Sequence, residues 1–413
     1  MKVIEDNMNI LDKKITFSSG KILKIPFAKA AMSENMAENL LPGEKFANAY
    51  RSWARGGSGL LITGNVMVDR KHLGEPNNVV LDDQVQNLYP FNRWAMAGKE
   101  NDTLIYMQLN HPGKQTPKFL TKRPVAPSAI GYSGHLGKMF NPPKELTLSE
   151  IESIIEKFGV AACKAEEAGF DGIQIHGAHG YLVSQFLSPN HNQRTDRYGG
   201  TLDNRMRFLI EIIKRIKETT KDSFGIAIKI NSADFQKGGF SEEESKLVIE
   251  RLDKEKLDFI EVSGGTYEVS AMMGKMKQST KKREAYFIEF ARNIKKMLNT
   301  PLMLTGGFRN GSTILSALEK DVDIIGLGRP LAVYPNFVNE LLEDAKVELS
   351  ITPKKFNISL LDKVIPLEIS WYTQQIHRLG ENKLPNPTFN IYLSLLKTLT
   401  EFGIQALMKT RKI

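Results

Sequence analysis

Short apolar runs recur along the first 345 residues, and most are followed by a stretch whose apolar positions have helical spacing. Eight runs are rich in β-branched or aromatic residues, at 26–32, 59–65, 103–110, 170–176, 224–230, 257–263, 301–306 and 322–328. Several begin with Gly or Asp and end in glycine or a polar residue, which is typical of buried parallel strands. The pattern therefore predicts eight strand–helix units.

Helix start signals support this alternation. Glu150 follows Thr147 by three residues, and Glu244 follows Ser241 by three, which is the spacing of a capping box. Eight strand–helix units predict an α/β protein with the (β/α)8 fold of a TIM barrel, whose active site lies at the carboxyl ends of the strands. An open doubly wound sheet is the alternative, but no strand is followed by the G-x-G-x-x-G fingerprint usual in that architecture. We expect the barrel to occupy residues 1–345.

The alternation stops after residue 345. Residues 346–413 contain amphipathic stretches and predict a C-terminal helical extension, which packs either on the barrel or on a second copy in a homo-oligomer. Within the barrel, the connections at 110–146 and 264–283 are too long for simple turns. Both follow strands on the active-site side, so each is interpreted either as a lid or as disordered surface.

Composition narrows the class of protein. The 413 residues carry a net charge of +9, with 41% hydrophobic and 25% charged residues, as in a soluble protein with a sizeable core. The charge is spread along the chain and no nucleic-acid-binding motif appears, so no nucleic-acid partner is expected. The single cysteine, Cys163, excludes an intrachain disulfide, and its helical setting predicts burial. With no secretion signal and no membrane-spanning apolar run, we expect a cytoplasmic protein without membrane contact.

The candidate chemistry lies just past the fourth apolar run. His176 ends that run, and His179 and Tyr181 follow in the sequence HGAHGY. A metal site is one alternative, but histidine metal pairs on helices usually sit four apart and recruit a carboxylate or cysteine. A purely structural loop cap is another. The favoured interpretation is that two neutral imidazoles donate to one substrate oxygen while the tyrosine serves as general acid. This set suits hydride addition to a polarised carbon–carbon double bond, for which a cofactor must supply the hydride.

The stretch at 176–213 closely resembles the Old Yellow Enzyme family of FMN-dependent NAD(P)H:flavin oxidoreductases. Further matching stretches include FAKAAMSENMA, GLLITGNVMVD, YMQLNHPGKQ, IKINSADF, IEVSGGTYE, TGGFRN and IIGLGRPL, so the resemblance extends over residues 10–345. It implies FMN as cofactor, NADH or NADPH as reductant, and an electron-poor alkene such as an α,β-unsaturated carbonyl compound as substrate. The alternatives are an NADH oxidase or quinone reductase on the same fold, or a flavin-binding redox sensor without turnover.

The resemblance also implies roles for individual residues. His176 and His179 correspond to the pair that holds the substrate oxygen, and Tyr181 to the proton donor. Tyr267, in the sequence GGTYE, is implied as a further substrate contact. No metal is implied. Residues implied at the flavin ring are Gln108 and Lys229 at the pyrimidine edge, Ser33 near O4 and N5, and Ala31, Gly64 and Asn65 at positions of close backbone approach.

The phosphate of the cofactor is expected after the seventh and eighth strands, its standard position in this architecture. There the sequence has Gly306 and Gly307, and then Gly328 with Arg329. Glycines permit close approach of the backbone and an arginine can pair with a dianion. Ordinary turn glycines are the alternative interpretation.

Overall fold

The computed structural model describes residues 10–11, 13–263, 288–351 and 367–401. Eight parallel strands form a closed sheet, in which each strand pairs with the next and the eighth pairs with the first. The strands are β1 Phe27–Lys29, β2 Leu60–Ile62, β3 Leu104–Asn110, β4 Gly172–Gly177, β5 Gly225–Asn231, β6 Phe259–Ser263, β7 Leu302–Thr305 and β8 Ile324–Leu327. The predicted TIM barrel is confirmed, and every strand lies within one of the eight apolar runs or overlaps it.

Helices surround the barrel. They are α1 Glu44–Arg55, α2 Tyr89–Gly98, α3 Gly134–Met139, α4 Leu148–Glu167, α5 Leu182–Leu187, α6 Leu202–Thr219, α7 Glu242–Asp253, α8 Gly311–Lys320, α9 Arg329–Val333, α10 Phe337–Glu343, α11 Leu367–Gly380 and α12 Ile391–Glu401. Both predicted capping boxes are confirmed, at Thr147 for α4 and at Ser241 for α7. None of the helices within the described ranges is both long and apolar enough to cross a bilayer.

A short antiparallel hairpin closes the amino-terminal end of the barrel. It pairs Ile15–Thr16 with Ile22–Leu23. The ring of Phe17, which follows the first hairpin strand, lies 6.4 Å from the ring of Tyr106 near the start of β3. It lies 5.7 Å from the ring of Phe259 at the start of β6. The Ser19 backbone N–H donates to Asp258 over 2.8 Å. With this end filled by side chains, the carboxyl end is the open mouth where a site can form.

The long connection at 110–146 is folded. Val125–Ala126 pairs in parallel with Lys144–Glu145, and α3 lies between them in the chain. Arg194 fastens this segment, because its guanidinium donates to the carbonyl oxygens of Pro127 at 2.8 Å and Leu146 at 2.6 Å. Its role as a lid stays a prediction, and the second connection at 264–283 lies outside the described residues.

The C-terminal extension contributes helices, and α11 packs on the barrel's outer layer. The side chain of Asn48 on α1 donates to the Gly380 carbonyl over 3.0 Å. Nε2 of His377 lies 2.8 Å from the carbonyl oxygen of Glu34 in the loop after β1. The extension was expected to pack either on the barrel or on a second copy of the chain, and α11 packs on the barrel.

Cys163 departs from its expected burial. It lies on α4 but is only partly buried, and its sulfur lies 3.5 Å from Oε1 of Glu167 on the same helix. Partial burial raises the pKa of the thiol, and the hydrogen bond to Glu167 raises that pKa further. The helical setting was predicted correctly, while the position around the helix was not.

Candidate active site at the carboxyl end of the barrel

His176 lies near the carboxyl end of β4 and is buried, with 4% of its surface exposed. Its Nδ1 accepts a hydrogen bond from the backbone N–H of Ala178 over 3.3 Å. A backbone N–H can only donate, so the proton of the neutral ring must be on Nε2. Nε2 forms no hydrogen bond with the described residues, which leaves an N–H donor available at the barrel mouth.

His179 is held in an unusual backbone conformation. Its φ is +62°, and that of Gly180 is +77°, so two successive residues occupy the left-handed region. The side-chain oxygen of Asn231, at the end of β5, accepts the His179 backbone N–H over 3.1 Å and supports this turn. Nε2 of His179 lies 2.8 Å from the hydroxyl oxygen of Ser263 at the end of β6. The neighbouring strands therefore fix both the backbone and the ring of His179.

Tyr181 occupies the N-cap position of α5 and is 7% exposed. Its ring centroid lies 4.7 Å from that of His176, edge to face, and the two imidazole centroids are 5.1 Å apart. The structure thus brings the three predicted residues together in one cluster around the His176 ring.

Both imidazoles are neutral at ordinary pH. Burial lowers the pKa of His176 well below its usual value, and His179 and the Lys229 ammonium lower it further. Burial, followed by the charge of Lys229, lowers the pKa of His179 to about 3. A neutral ring donates through one nitrogen without adding a buried charge, as the sequence-based interpretation requires.

A chain of four polar side chains crosses the barrel interior below the histidines. Nε2 of Gln108 donates to Oε1 of Gln174 over 2.7 Å, and Nε2 of Gln174 donates to Oε2 of Glu261 over 2.7 Å. Oε1 of Glu261 lies 2.9 Å from Nζ of Lys229. Gln108 and Lys229 were expected at the flavin, whereas Gln174 and Glu261 were missed. A sequence signal existed, because each stands two residues before an inward-facing polar position, His176 or Ser263.

The loop after β1 carries Ala31 and Ser33 and meets the loop after β2. Gly64 is packed so closely that an added Cβ would lie 2.3 Å from the backbone oxygen of Met32. The backbone N–H of Gly64 donates to Oε1 of Glu34 over 2.9 Å. Asn65 follows Gly64, and its Oδ1 is buried. The hydroxyl of Ser33 donates to Glu75, so Ser33 is held by a carboxylate rather than pointing freely.

Lys29 and Glu34 form a buried ion pair that was not predicted from the sequence. Nζ of Lys29 lies 3.4 Å from Oε1 of Glu34 and donates to the carbonyl of Ile62 over 2.9 Å. The Tyr50 hydroxyl on α1 donates to the same carboxylate. Complete burial lowers the pKa of Lys29 to about 8, although the charge of Glu34 acts in the opposite direction. This pair lies between the sheet and α1 and supports the Gly64 loop from outside the barrel.

The expected phosphate end is formed by the loops after β7 and β8. Gly306 and Gly307 have φ values of +146° and +79°, a backbone that residues with side chains rarely adopt. A Cβ added at Gly306 would meet no atom within 4 Å, so the backbone borders open space. Gly328 precedes α9, and Arg329 is the first residue of that short helix. The paired ends of β7 and β8 place the two loops side by side.

The donors and acceptors at the mouth fit a flavin ring. Among the described residues, Oδ1 of Asn65, both amide atoms of Asn110 and Oγ1 of Thr305 are buried without a hydrogen-bond partner. Buried polar groups in folded proteins are nearly always satisfied, and a polar ligand bound at the mouth would supply partners for these atoms. They follow β2, end β3 and end β7, around the same mouth as the histidines.

A three-residue cluster on the outer side of the barrel has the composition of a metal site. Asp69, His72 and His111 each offer a ligand atom within 4.8 Å of the others. Lys157 already donates to Asp69, and this bond together with that from His72 lowers the pKa of Asp69 well below its usual range, although burial opposes the shift. Nδ1 of His111 accepts the Gly113 N–H over 3.1 Å, so Nε2 carries the proton and offers no lone pair. This hydrogen-bond pattern favours a structural cluster over a metal centre.

Of the sequence-predicted residues, Tyr267 lies outside the described part of the chain, and the others surround the mouth.

The family described as NADH:flavin oxidoreductase / NADH oxidase matches residues 15–348. The chain is 38% identical over 354 residues to "NADH-dependent flavin oxidoreductase iliE" of Hypocrea jecorina (strain QM6a), an alignment covering 78% of this chain and 86% of that protein. It is 37% identical over 353 residues to the protein of the same name from Neonectria sp. (strain DH2), covering 78% of this chain but only 46% of that relative.

A solved structure of morphinone reductase superposes with a TM-score of 0.68 at 21% identity, covering 83% of this chain and 91% of the other, which shows the shared fold. The family match spans most of the chain, and the relative from Hypocrea jecorina is well above 30% identity over more than two thirds of it. The chain therefore belongs to the NADH:flavin oxidoreductase / NADH oxidase family of FMN enzymes, which use NADH or NADPH as reductant.

Proposed function

We propose that this protein is an FMN-dependent NAD(P)H oxidoreductase that reduces the activated carbon–carbon double bond of α,β-unsaturated carbonyl or similarly electron-poor compounds. The observation that carries the proposal is the cluster of His176, His179 and Tyr181 with its available Nε2–H on His176. Two neutral imidazoles and a phenol in contact supply hydrogen-bond donors for a carbonyl oxygen and an acid for the adjacent carbon.

The histidines would bind the substrate through its carbonyl oxygen. The Nε2–H of His176 is fixed by the Ala178 hydrogen bond, so this donor needs no reorganisation when negative charge develops on the oxygen. His179 donates through Nδ1 when the Ser263 hydroxyl donates to its Nε2. Ser263 would thereby hold the second imidazole in the donor form that the substrate requires.

Tyr181 would deliver the proton. An ordinary tyrosine is protonated at neutral pH, with a pKa of about 10. Its position at the amino terminus of α5, against the His176 ring, supports a proton donor next to the oxygen that the histidines would hold. A proton can then be added to the α-carbon of a substrate whose oxygen is held by the two histidines.

The remaining mouth residues would hold the cofactor. Gln108 and Lys229 would bind the pyrimidine edge, Ser33 and the Gly64 loop would border the ring near O4 and N5, and the glycine loops after β7 and β8 with Arg329 would hold the phosphate. When bound, FMN would accept a hydride from reduced nicotinamide and pass it to the β-carbon of the alkene.

The test separates the two halves of the reaction. Purified protein reconstituted with FMN is mixed anaerobically with NADH or NADPH, and flavin absorbance is followed until it bleaches. The reduced protein is then mixed with 2-cyclohexen-1-one, with a quinone, or with oxygen. We expect the enone to restore the flavin absorbance and to be converted into the saturated ketone.

Two results would contradict the proposal. A protein that cannot be loaded with FMN has no flavin chemistry to perform. Rapid reoxidation by oxygen or quinone, with no saturated ketone formed from any of several enones, would instead favour the NADH oxidase or quinone reductase alternative.

A further inference from the structure

The chain of Gln108, Gln174, Glu261 and Lys229 connects two expected flavin contacts through two residues that have no assigned role. All four residues are at most 3% exposed. Gln108 and Gln174 are partners in register on β3 and β4, and Lys229 and Glu261 are partners on β5 and β6. The hydrogen bond from Gln174 to Glu261 crosses from β4 to β6, past the small side chain of Ala227 on the intervening strand. The four side chains therefore form one connected layer.

Glu261 determines the direction in which hydrogen bonds are donated along these four side chains. A carboxylate paired with Lys229 can only accept hydrogen bonds, so Gln174 must present its Nε2 to Glu261. The Gln174 amide is then oriented with Oε1 towards Gln108, which must present its own Nε2. Oε1 of Gln108 is left as an acceptor, and it accepts no hydrogen bond from the described part of the chain. The acceptor offered to a flavin N–H is thus fixed by a residue two side chains away.

Glu261 also balances the charge of Lys229. A single ammonium buried in the barrel would be strongly unfavourable, and the carboxylate 2.9 Å away makes the pair neutral overall. The contact with Glu261 is an ion pair without hydrogen-bond geometry, so it leaves the N–H donors of the ammonium for a ligand. Two-electron reduction of a flavin adds negative charge at the N1–O2 edge, which an unbalanced lysine would favour strongly and a paired one less so.

We propose that Glu261 is a positioning residue that sets both the amide orientation of Gln108 and the effective charge of Lys229, and that it thereby keeps the reduction potential of bound FMN lower than Lys229 alone would. This inference rests on the proposed function, since it requires FMN at the barrel mouth. It assigns Gln174 the role of the link through which the orientation passes.

The test compares Glu261→Gln with the wild type. Replacing the carboxylate by an amide removes one negative charge with little change of shape. We expect the variant to bind reduced FMN, relative to oxidised FMN, at least tenfold more tightly than the wild type does, which corresponds to a two-electron potential higher by about 30 mV. The potential is measured by equilibrium photoreduction against a reference dye, and the dissociation constant of oxidised FMN by fluorescence quenching on the apoprotein. Glu243→Gln, an exposed residue on α7, is the control with the same change in net charge.

A second variant separates orientation from charge. Gln174→Leu breaks the chain but keeps Glu261 and Lys229, so we expect weaker binding of oxidised FMN with a potential close to that of the wild type. It also keeps the inference testable if Glu261→Gln does not fold.

The inference is overturned if Glu261→Gln binds FMN at the wild-type potential, or if Gln174→Leu binds FMN as tightly as the wild type. A wild-type protein that binds no FMN in either redox state would instead overturn the proposed function itself. The two failures are therefore distinguishable in one set of titrations.

Discussion

Replacing Lys29 by Met and Glu34 by Gln in one double variant removes the buried ion pair between the sheet and α1. In the wild type, burial lowers the pKa of Lys29 from 10.5 to about 8. Between these two values the unfolded chain keeps a proton that the folded chain has lost. Raising the pH through this window therefore favours the folded state, and the contribution of Lys29 to the stability of the wild type should rise from about pH 8 to pH 10.5.

The size of the effect follows from the two pKa values. A folded pKa of about 8 against an unfolded value of 10.5 gives a gain in the free energy of unfolding of about 2–3 kcal/mol between pH 7 and pH 10. The double variant has no ammonium at this position and should lack the gain. Removing both charges also avoids an unpaired buried carboxylate, which would add its own dependence on pH.

The assay is urea denaturation of both proteins at intervals from pH 7 to pH 10. The difference between the two free energies of unfolding isolates the pair, because the exposed lysines and tyrosines titrate alike in both proteins. Burial raises the pKa of Tyr50 well above its usual value, so above pH 10 this tyrosine would add its own pH dependence to the stability. The range therefore stops at pH 10. Lys246→Met with Glu242→Gln, a more exposed pair on α7, is the matched control and should give a flat difference. A flat or falling difference for the Lys29–Glu34 variant would refute the reasoning.

The remaining predictions concern the site. Tyr181→Phe keeps the ring but loses the acid, so reoxidation by an enone should slow by about 10²–10⁴-fold while reduction by NADH is unchanged in stopped-flow traces; equal slowing of both steps would remove Tyr181 from the acid role. Because the pKa values of His176 and His179 are lowered, both rings stay neutral, and the dissociation constant for 2-cyclohexen-1-one should be constant from pH 5 to 8; a transition near pH 6.5 would contradict this. Gly64→Ala places a Cβ 2.3 Å from a backbone oxygen and should cost about 1–3 kcal/mol of stability and weaken FMN binding, whereas Gly131→Ala, whose nearest contact is 3.7 Å, should do neither.

The eight strands were predictable because each is a short apolar run with a clear boundary. The position of His176 at the mouth was predictable for the same reason, since it ends such a run. The partners of these residues were not predictable locally. Gln174 and Glu261 are 87 residues apart, and their contact depends on the register of β4, β5 and β6 in the closed sheet.

The environments of residues that do not face the barrel interior were harder still to predict from the sequence. β1 has only three residues, so its alternation could not show that Lys29 points towards α1 rather than into the barrel. The direction of Cys163 around α4 was also difficult to predict, because it lies beside the buried face that contains Phe158, Ala162 and Ala165 rather than within it. In both cases the neighbouring layer decides the environment of the side chain, and that layer comes from distant parts of the chain.

The hairpin at the amino terminus has a consequence for the order of events during synthesis. Its Ser19 is bonded to Asp258, 239 residues later in the chain. At ribosomal rates of about 5–20 residues per second, the hairpin emerges roughly 10 to 50 s before this partner exists. The hairpin therefore precedes its partner, and the nascent barrel remains open at its base until the sixth strand has left the ribosome.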